Sequence, residues 1–298
     1  PTLLPGGRPV TDQAARAEVE KAWSAPLPTG VGRDTTRIVE AAAIGELGGL
    51  LIGGVDPADL PHPAAALAAI ETAGFVVSIE LRATAVTERA NVVFPAAAAA
   101  EKAGAYLDWE GRVRPFGAAI RKQGLLDDGR ILDTLGVEMD VDLYTQSPAA
   151  AVAEIERLGQ WQGSTTTALP TGPAPVDPNA GVDGGLLLGY WRMAIDGGSL
   201  LDGEPHLAGT AKAEVACVSA ATALSAGLTD GEMVGVAGPA GSVAVLLRVI
   251  PDDKMVAGVV WLPGRVRGAS TPATLGAAAG QRVSVSPVTW TAYPEETS

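Results

Sequence analysis

The sequence predicts a parallel-sheet α/β domain followed by a C-terminal β-barrel. Between residues 48 and 95, three short apolar runs alternate with helical patterns, which is the order of a βαβ series. After residue 185 the apolar runs become short and β-like, with Gly, Pro and Asp between them. The stretch between these parts is rich in Gly, Pro, Ser and Thr, which is typical of a linker. We therefore expect the α/β domain over 1–158, a linker over 159–184 and the barrel over 185–298.

Two helical patterns come first, and each has a residue that can cap it. "TDQAARAEVEKAW" predicts a helix capped by Thr11 or Asp12, and "DTTRIVEAAAIGEL" predicts one capped by Asp34. Further along, "DDGRILDTLG" and "SPAAAVAEIERLG" are helical. The second of these has Ser147 as its cap and Pro148 at the first helical position.

The βαβ series begins with "GGLLIGG", an uninterrupted apolar run that predicts a buried parallel strand. The helix "AAALAAIETAG", the strand "FVVSIEL", the short helical stretch "TAVTERA" and the strand "NVVFP" follow. Thr84 can cap the short stretch, but Thr87 stands where a complete capping box has Glu or Gln. Open parallel sheets bind ligands at the loops after their strands. Those loops are here "GGVDPADLP", "RATAVTE" and "PAAAAAEKAG".

The barrel is predicted from five strand patterns and one short helix. The helix, in "AATALSAGLTDGE", closes on Gly227. Several short strands with one helix in about 110 residues indicate a compact β-barrel. The strand patterns are "AEVACVSA", "MVGVAG", "SVAVLLRVI", "MVAGVVWLP" and "RVSVSPV".

Composition excludes several classes of protein. A net charge of −13 argues against binding to nucleic acid or to an anionic membrane, since both attract positive charge. Cys217 is the only cysteine and lies in an alternating apolar run, so we expect a buried, inert thiol rather than a disulfide, cluster or nucleophile. His62 and His206 stand beside prolines, without the spacing of zinc ligands. No uncharged apolar run reaches the ~18 residues of a membrane-spanning helix.

The stretch "EKAGAYLDWEGRVRPF", residues 101–116, concentrates charged and aromatic side chains at the predicted ligand edge. Its paired carboxylates could act as an acid and a base, or they could form a structural network. Glu110 and Arg112 are explained more simply as an ion pair across a Glu-Gly-Arg turn. Asp56 follows the glycines of "LIGGVDP", where a phosphate-binding role and a capping role both remain open. The sequence contains neither a P-loop nor a Ser-His-Asp arrangement.

The stretch from "FVVSIEL" to "GRVRPF" resembles the molybdopterin-oxidoreductase superfamily. In that family "T-x-x-A-D-V-V-L-P" is followed by "E-x-x-G-T-x-x-N-x-E-G-R". Asn91 here replaces the usual Asp, and Asp108 replaces the usual Asn. The matching residues are Thr87, Ala90, Val92, Val93, Pro95, Glu101, Gly104, Glu110, Gly111 and Arg112.

Within that superfamily the chain is most similar to the G-subunit family of proton-pumping NADH-quinone oxidoreductase, respiratory complex I, of the actinobacterial type. The segments "GGRPVTDQAARAEVEKAW", "GGVDPADLP" and "VVWLPG" also carry this resemblance. Members of that family have an N-terminal part with 2Fe-2S and 4Fe-4S clusters and a large C-terminal part that generally lacks pterin. With one cysteine and a start at Pro1, the chain is expected to be a piece of that second part, ending in a double-psi-type β-barrel.

The resemblance also implies a location, partners and a site. We expect the cytoplasmic side of the bacterial inner membrane, other peripheral-arm subunits as partners, no membrane insertion, and neither catalytic residues, metal ligands nor cofactor in this segment. The barrel offers few side-chain donors beyond Lys212, Arg265 and Arg267, and "PAAAAAEK" fills a ligand loop with methyl groups. Both features suit a vestigial pterin cleft, whose candidate residues are Asp56, Glu88, Glu101, Asp108, Glu110 and Arg112.

Three hypotheses for function remain. The first is a non-catalytic scaffold segment of complex I. The second is the C-terminal half of an active molybdopterin oxidoreductase such as a formate dehydrogenase. The third, an independent binding module, requires a free-standing chain, which the absence of Met at position 1 disfavours.

Overall fold

The chain folds into two compact units. A computed structural model describes residues 3–60, 62–108, 110, 112–120, 124–164 and 182–288. The α/β unit combines the described residues of Pro1–Gly54 and Ala69–Pro173. The barrel unit combines those of Val55–Ala68 and Ala174–Ser298. Most of the predicted linker lies outside the described residues, so the division at 159–184 stays a prediction. The grouping of Val55–Ala68 with the barrel unit was not predicted.

Of the four helices described in the α/β unit alone, three begin at predicted caps, and the fourth is capped by Asp127, for which no capping role was predicted. They are α1 (Gln13–Trp23), α2 (Thr35–Ala43), α4 (Asp128–Glu138) and α5 (Pro148–Leu158), while α3 (Pro63–Thr72) crosses from one unit to the other. The carboxylates of Asp12 and Asp34 accept backbone N–H groups, each at 2.9 Å, and the Ser147 hydroxyl accepts one at 3.2 Å. These bonds satisfy amides that have no partner inside the helix, and they confirm the three predicted helix starts.

A three-stranded parallel sheet lies at the centre of the α/β unit. Its strands, in spatial order, are β3 (Leu50–Gly53), β4 (Val76–Glu80) and β5 (Val92–Pro95). This arrangement confirms the predicted βαβ series. Val76 packs with Ile70 of α3 on one face, and Ile79 packs with Ile131 of α4 on the other.

The connection between β4 and β5 is a 3₁₀ turn, Thr87–Arg89, rather than an α-helical stretch. Thr84 Oγ1 accepts from the Thr87 amide at 3.3 Å, and Thr87 Oγ1 accepts from the Thr84 amide at 2.7 Å. The threonine hydroxyl thus supplies the reciprocal bond that Glu or Gln gives in a capping box. The 3₁₀ turn itself has Val86 at its N-cap position and no side-chain cap, so the prediction of Thr84 as the cap was wrong.

Two short antiparallel ladders complete the α/β unit. The first pairs β1 (Leu3–Leu4) with β2 (Arg8–Pro9), and the second pairs β6 (Gly104–Leu107) with β7 (Val113–Phe116). The Arg8 side chain is 2% exposed and donates to the carbonyls of Leu158 and Gly159 at 2.8 and 2.7 Å. This buried arginine ties the first ladder to the end of α5.

The barrel unit contains a closed barrel of six strands, in the order β10-β11-β9-β12-β8-β15. Two pairs are parallel, β11 with β9 and β12 with β8. The strands are β8 (Leu186–Trp191), β9 (Val215–Ser219), β10 (Met233–Ala237), β11 (Ser242–Ile250), β12 (Val259–Pro263) and β15 (Arg282–Pro287). Around them lie β13 (Arg265–Val266), β14 (Ala269–Ser270), α6 (Pro205–Ala208), α7 (Ala220–Ala226) and α8 (Thr271–Leu275).

This closed, mixed barrel confirms the C-terminal barrel of the predicted fold class, including the helix that closes on Gly227, which has φ 65°. The sixth strand, β8, was not predicted. Its sequence, "LLLGYW", is apolar on both sides of the strand and shows no alternation. Sixteen buried residues form one core inside the barrel, among them Val218, Val234 and Val260, each 0% exposed.

Candidate functional site

The turn between β6 and β7 holds three of the predicted cleft residues together. Asp108 Oδ1 accepts from the backbone amides of Glu110 and Arg112 at 3.0 and 2.9 Å. Its other oxygen lies 3.1 Å from Nε of Arg114. Arg112 and Glu110 form an ion pair at 2.7 Å, as predicted. All of these bonds lie within the turn, so they form a structural network.

Glu101 and Glu88 lie on separate 3₁₀ turns of the same unit. Glu101 Oε2 accepts from the Ala98 amide at 3.0 Å, which closes the turn Ala99–Glu101. Glu88 has an exposed side chain, 3.9 Å from Nη1 of its neighbour Arg89. The stronger partner of Arg89 is Glu71, at 2.8 Å from Nε. The structure therefore does not join Glu88 or Glu101 to the network around Asp108 by any described hydrogen bond.

A cavity of about 280 Å³ opens beside the hairpin in the α/β unit. Lys102, which forms an ion pair with Asp128, lies at its wall, together with the rings of Tyr106 and Phe116. Those rings are stacked with centroids 5.3 Å apart. Ser147, the cap of α5, also lines it. None of the six predicted cleft residues is among the described residues that form this wall.

Asp56 belongs to the barrel unit, where it faces a buried guanidinium. It caps the 3₁₀ turn Pro57–Asp59 by accepting from the Ala58 amide at 2.9 Å. Its other oxygen lies 3.5 Å from Nη2 of Arg265, which is 3% exposed. Asp59 forms a shorter ion pair with the same Nη2 and also pairs with the exposed Arg192 at 2.8 Å.

The charges around Arg265 outweigh the cost of its burial. Burial alone lowers the pKa of the Arg265 guanidinium, but the hydrogen bond to Asp59 and the charges of Asp59, Asp56 and Asp196 raise it above its ordinary value. Arg265 Nη1 donates to the Gly268 carbonyl, whereas the buried Nε has no partner among the described residues. The ion pairs of Arg265 with Asp56 and Asp59 thus hold the segment Val55–Ala68 against β13.

Sequence patterns missed this cluster because its members are far apart in the chain. Asp56 and Arg265 are 209 positions apart, and no local spacing relates them. Asp56 was predicted as a cap, a phosphate-binding residue or a cleft residue, and Arg265 was considered as a cofactor donor, but no pattern related the two residues to each other. Only the topology of the barrel shows that Asp56 and Arg265 lie close together.

The donors in the described parts of the chain do not fit a pterin dinucleotide. Its diphosphate needs cationic or N–H donors, yet five of the six candidates carry carboxylates. Of the expected side-chain donors in the barrel, Arg265 is paired with Asp56 and Asp59. The backbone amide of Arg267, rather than its side chain, donates to both oxygens of Glu214 at 3.1 and 3.0 Å. The arrangement favours intramolecular bracing over anion binding.

Metal chemistry also lacks a ligand set in the described residues, where no group of three His, Cys, Asp or Glu side chains could hold an ion. The prediction of a buried Cys217 was wrong, because Cys217 is half-buried on the face of β9 opposite to the buried Ala216 and Val218. Its partial burial still raises the pKa of the thiol, and the charge of Arg248 offsets part of that effect. A thiol with a raised pKa is a weak nucleophile at neutral pH.

Within the described ranges, every helix is too short or too polar to cross a bilayer.

Comparisons with known proteins give this arrangement a family. The family model named Molybdopterin oxidoreductase matches residues 18–125. The G subunit of NADH-quinone oxidoreductase from Streptomyces coelicolor is 47% identical over 97% of this chain, and the corresponding protein of Mycobacterium bovis is 45% identical over 96%. The chain spans about a third of the length of these relatives, 34% and 35%.

Among solved structures, acetylene hydratase from Pelobacter acetylenicus matches 89% of this chain and 45% of its own, with a TM-score of 0.51. At 16% identity this likeness concerns the fold alone. It agrees with a parallel-sheet α/β region followed by a six-stranded mixed barrel. Residues 18–125 therefore belong to the molybdopterin oxidoreductase family, and nearly the whole chain is homologous to the C-terminal region of the actinobacterial G subunit of NADH-quinone oxidoreductase.

Proposed function

We propose that this chain is a non-catalytic scaffold segment of the peripheral arm of proton-pumping NADH:quinone oxidoreductase. The single observation that carries the proposal is 47% identity over 97% of the chain to a G subunit of that enzyme. In this role the segment supports the part of the same polypeptide that holds the 2Fe-2S and 4Fe-4S clusters. Electron transfer from NADH to quinone requires fixed distances between clusters, so rigid support is itself a function.

The chemistry of the candidate residues supports a scaffold. Asp108, Glu101 and Asp56 each accept backbone amides, and Glu110 is paired with Arg112. A general acid or base must lie within hydrogen-bond reach of the proton that it transfers on a substrate. These carboxylates instead hold turns together, which is the behaviour of a vestigial cleft.

The surroundings follow from the same proposal. Other peripheral-arm subunits are the partners, on the cytoplasmic side of the bacterial inner membrane. The net charge of −13 supports protein partners over nucleic acid or an anionic lipid surface.

A second candidate function is that of the C-terminal half of an active molybdopterin oxidoreductase, such as a formate dehydrogenase. The match of residues 18–125 to the molybdopterin oxidoreductase family favours it. The carboxylate-rich donor set of the described residues opposes it, because a diphosphate would be repelled.

Metal analysis of the intact complex that contains this chain tests the two functions. We expect iron without stoichiometric molybdenum, and a pterin bound in stoichiometric amount would overturn the proposal of a non-catalytic scaffold.

A second measurement uses the variants Glu101→Gln and Glu110→Gln. Turnover per assembled complex should stay near that of the wild type, whereas loss of a general acid or base would lower it about 100-fold or more.

A further inference from the structure

A short segment at the end of α4 exposes apolar and acidic side chains in alternation. Residues 137–144 read "VEMDVDLY". Met139 and Tyr144 are 75% and 70% exposed. Single exposed apolar residues are common, but five within eight positions mark a surface that another molecule covers. The five are Val137, Met139, Val141, Leu143 and Tyr144, and the exposed acids among them are Glu138, Asp140 and Asp142. We call residues 137–144 the acidic–apolar segment.

The C-terminal cap of α4 fixes the first half of this segment. Asp140 has a left-handed φ of 62°, and its amide donates to the Val137 carbonyl at 3.0 Å. The Val141 amide donates to the Gly136 carbonyl at 2.8 Å, and the two bonds form a Schellman motif. The side-chain contact that often accompanies this motif would join Val141 to residue 136, but a glycine stands there. A Cβ on Gly136 would lie 2.9 Å from the Val141 oxygen, so the backbone approach requires glycine and leaves Val141 exposed.

A buried carboxylate fixes the other end of the segment. Asp133, which is 1% exposed, accepts from the amide and the hydroxyl of Thr145 at 2.9 and 3.2 Å. Its other oxygen pairs with Nη1 of Arg130 at 2.9 Å. The Tyr144 amide donates to Asp142 Oδ1 at 2.8 Å, and Tyr144 has a φ of 54°, which is uncommon for a bulky residue. A segment held at both ends loses less conformational entropy when it binds.

The carboxylates of the segment have no cationic neighbour in this unit. Glu138, Asp140 and Asp142 form no ion pair with a described residue. The sequence has no Lys, Arg or His over positions 131–156. Covering the apolar side chains would also remove water from these carboxylates, which costs free energy unless positive groups replace it. A partner must therefore supply Lys or Arg side chains together with apolar ones.

We propose that the acidic–apolar segment docks onto a basic, apolar surface of another subunit of the same complex. This inference rests on the proposed function, in which the chain belongs to a G subunit of complex I. Interfaces between separately folded proteins have an apolar centre and a polar rim. The exposed apolar side chains supply the centre, and the three carboxylates supply a rim that attracts positive charge.

A second copy of the chain and the interior of the same polypeptide fit the segment less well. Two copies would bring six carboxylates together, and each chain already carries a net charge of −13, so they repel. A surface that is buried inside one folded polypeptide contains few charged residues, because a fully buried charge needs a partner. Alternating acids suit the border of an interface, where water still reaches them.

Site-specific photocrosslinking in the intact complex identifies what lies on the segment. Met139 is replaced by benzoylphenylalanine in the full-length polypeptide, and the same replacement of Val31, a 98% exposed residue of the same unit, is the control. We expect a crosslink to another subunit, at a peptide that contains Lys or Arg, from the Met139 probe alone. A crosslink within the same polypeptide or to a second copy, no crosslink, or the same product from both probes would overturn the proposal.

Removal of charge gives a second, independent readout. Glu138→Gln with Asp140→Asn deletes two charges, and Asn tolerates the left-handed φ of position 140. We expect the yield of the Met139 crosslink to fall at least about threefold at about 0.15 M salt, because the charges of the rim attract the partner. At about 1 M salt the two yields should be equal, because exposed charges are then screened within about 3 Å.

The matched control is Glu154→Gln with Glu156→Gln, which removes two charges at the same spacing from α5. It should leave the yield of the Met139 crosslink unchanged. An equal loss in both double variants, or no loss in either, would overturn the proposal. Neither measurement depends on molybdenum content or turnover, so failure of this inference and failure of the scaffold function are told apart.

Discussion

At the scale of single residues, Arg265 shows how a buried charge is kept in a barrel. Its Nη atoms donate to Asp59 and to the Gly268 carbonyl, and Asp56 adds a further charge nearby. An ammonium group could not serve acceptors in these fixed directions, because only the guanidinium has a planar fork of donors. Arg265 therefore links β13 to the segment Val55–Ala68.

We expect Arg265→Met to lower the free energy of unfolding by about 3 kcal/mol, because it leaves Asp56 and Asp59 without their buried partner. Urea unfolding followed by tryptophan fluorescence measures the loss. Arg192→Met is the matched control, since Arg192 is exposed and pairs with the same Asp59. Its loss should stay below about 1 kcal/mol, and equal losses would contradict the role of burial.

The same pair of proteins should show little dependence on alkaline pH. The pKa of Arg265 is raised above the already high pKa of an arginine in the unfolded chain. Arg265 therefore stays charged and keeps stabilising the folded state until the pH exceeds the pKa of the unfolded group. The difference in unfolding free energy between wild type and Arg265→Met should be equal at about pH 7 and about pH 9. A decline with rising pH would mean that another group carries the effect.

Cys217 should react slowly in the folded chain. Burial raises the pKa of its thiol despite the charge of Arg248, so the reactive thiolate is scarcer than in the unfolded chain. Alkylation by iodoacetamide at about pH 8, followed by mass spectrometry, should be slower than in urea. Folding stability should correspondingly fall as pH rises past the pKa of the unfolded thiol. Equal alkylation rates would contradict a protected site.

At the scale of elements, residues close in sequence predicted where helices begin. They did not predict strands whose position depends on pairing with distant strands. Asp34 and Ser147 cap helices through atoms three positions away, so a short window contains the whole cause. Strand β8 has no alternation, and only its partners β12 and β15 give it a register. The candidate cleft was likewise predicted in part: the Glu110–Arg112 pair is local, but the placement of Asp56 in the barrel unit is not.

The β6–β7 turn gives a prediction at this scale. Asp108→Ala removes an acceptor of two backbone amides and should cost about 1 kcal/mol of unfolding free energy. Asp108→Asn keeps an oxygen for those amides and loses only the charge beside Arg114. We therefore expect Asp108→Asn to cost less than half as much in thermal or urea unfolding. A larger loss for Asn than for Ala would show that the charge, not the turn, is what matters.

At the scale of the whole molecule, the two units differ in how much apolar surface each buries. The barrel has one core of sixteen buried residues in a closed sheet, while the α/β unit divides its core into two small clusters. Closure also removes exposed strand edges. Sequence composition did not predict this difference in core size, because both units contain the same types of apolar residue.

Hydrogen–deuterium exchange should reproduce the contrast. We expect the slowest amides in β9, β10 and β12 of the barrel, and faster exchange in the β6–β7 hairpin and at the outer edge of β3 when the chain is studied alone. Peptide-level mass spectrometry measures both. Uniform protection across the two units would mean that the small clusters are as stable as the barrel core.

The ion pairs of Val55–Ala68 impose an order on biosynthesis. Asp56 leaves the ribosome 209 residues before Arg265 exists to meet it. At roughly 5–20 residues per second, the wait is about 10–40 s. During that interval Asp56 and Asp59 lack their buried partner. Translation of β13, which contains Arg265, therefore decides when the Asp56 segment can be held in place.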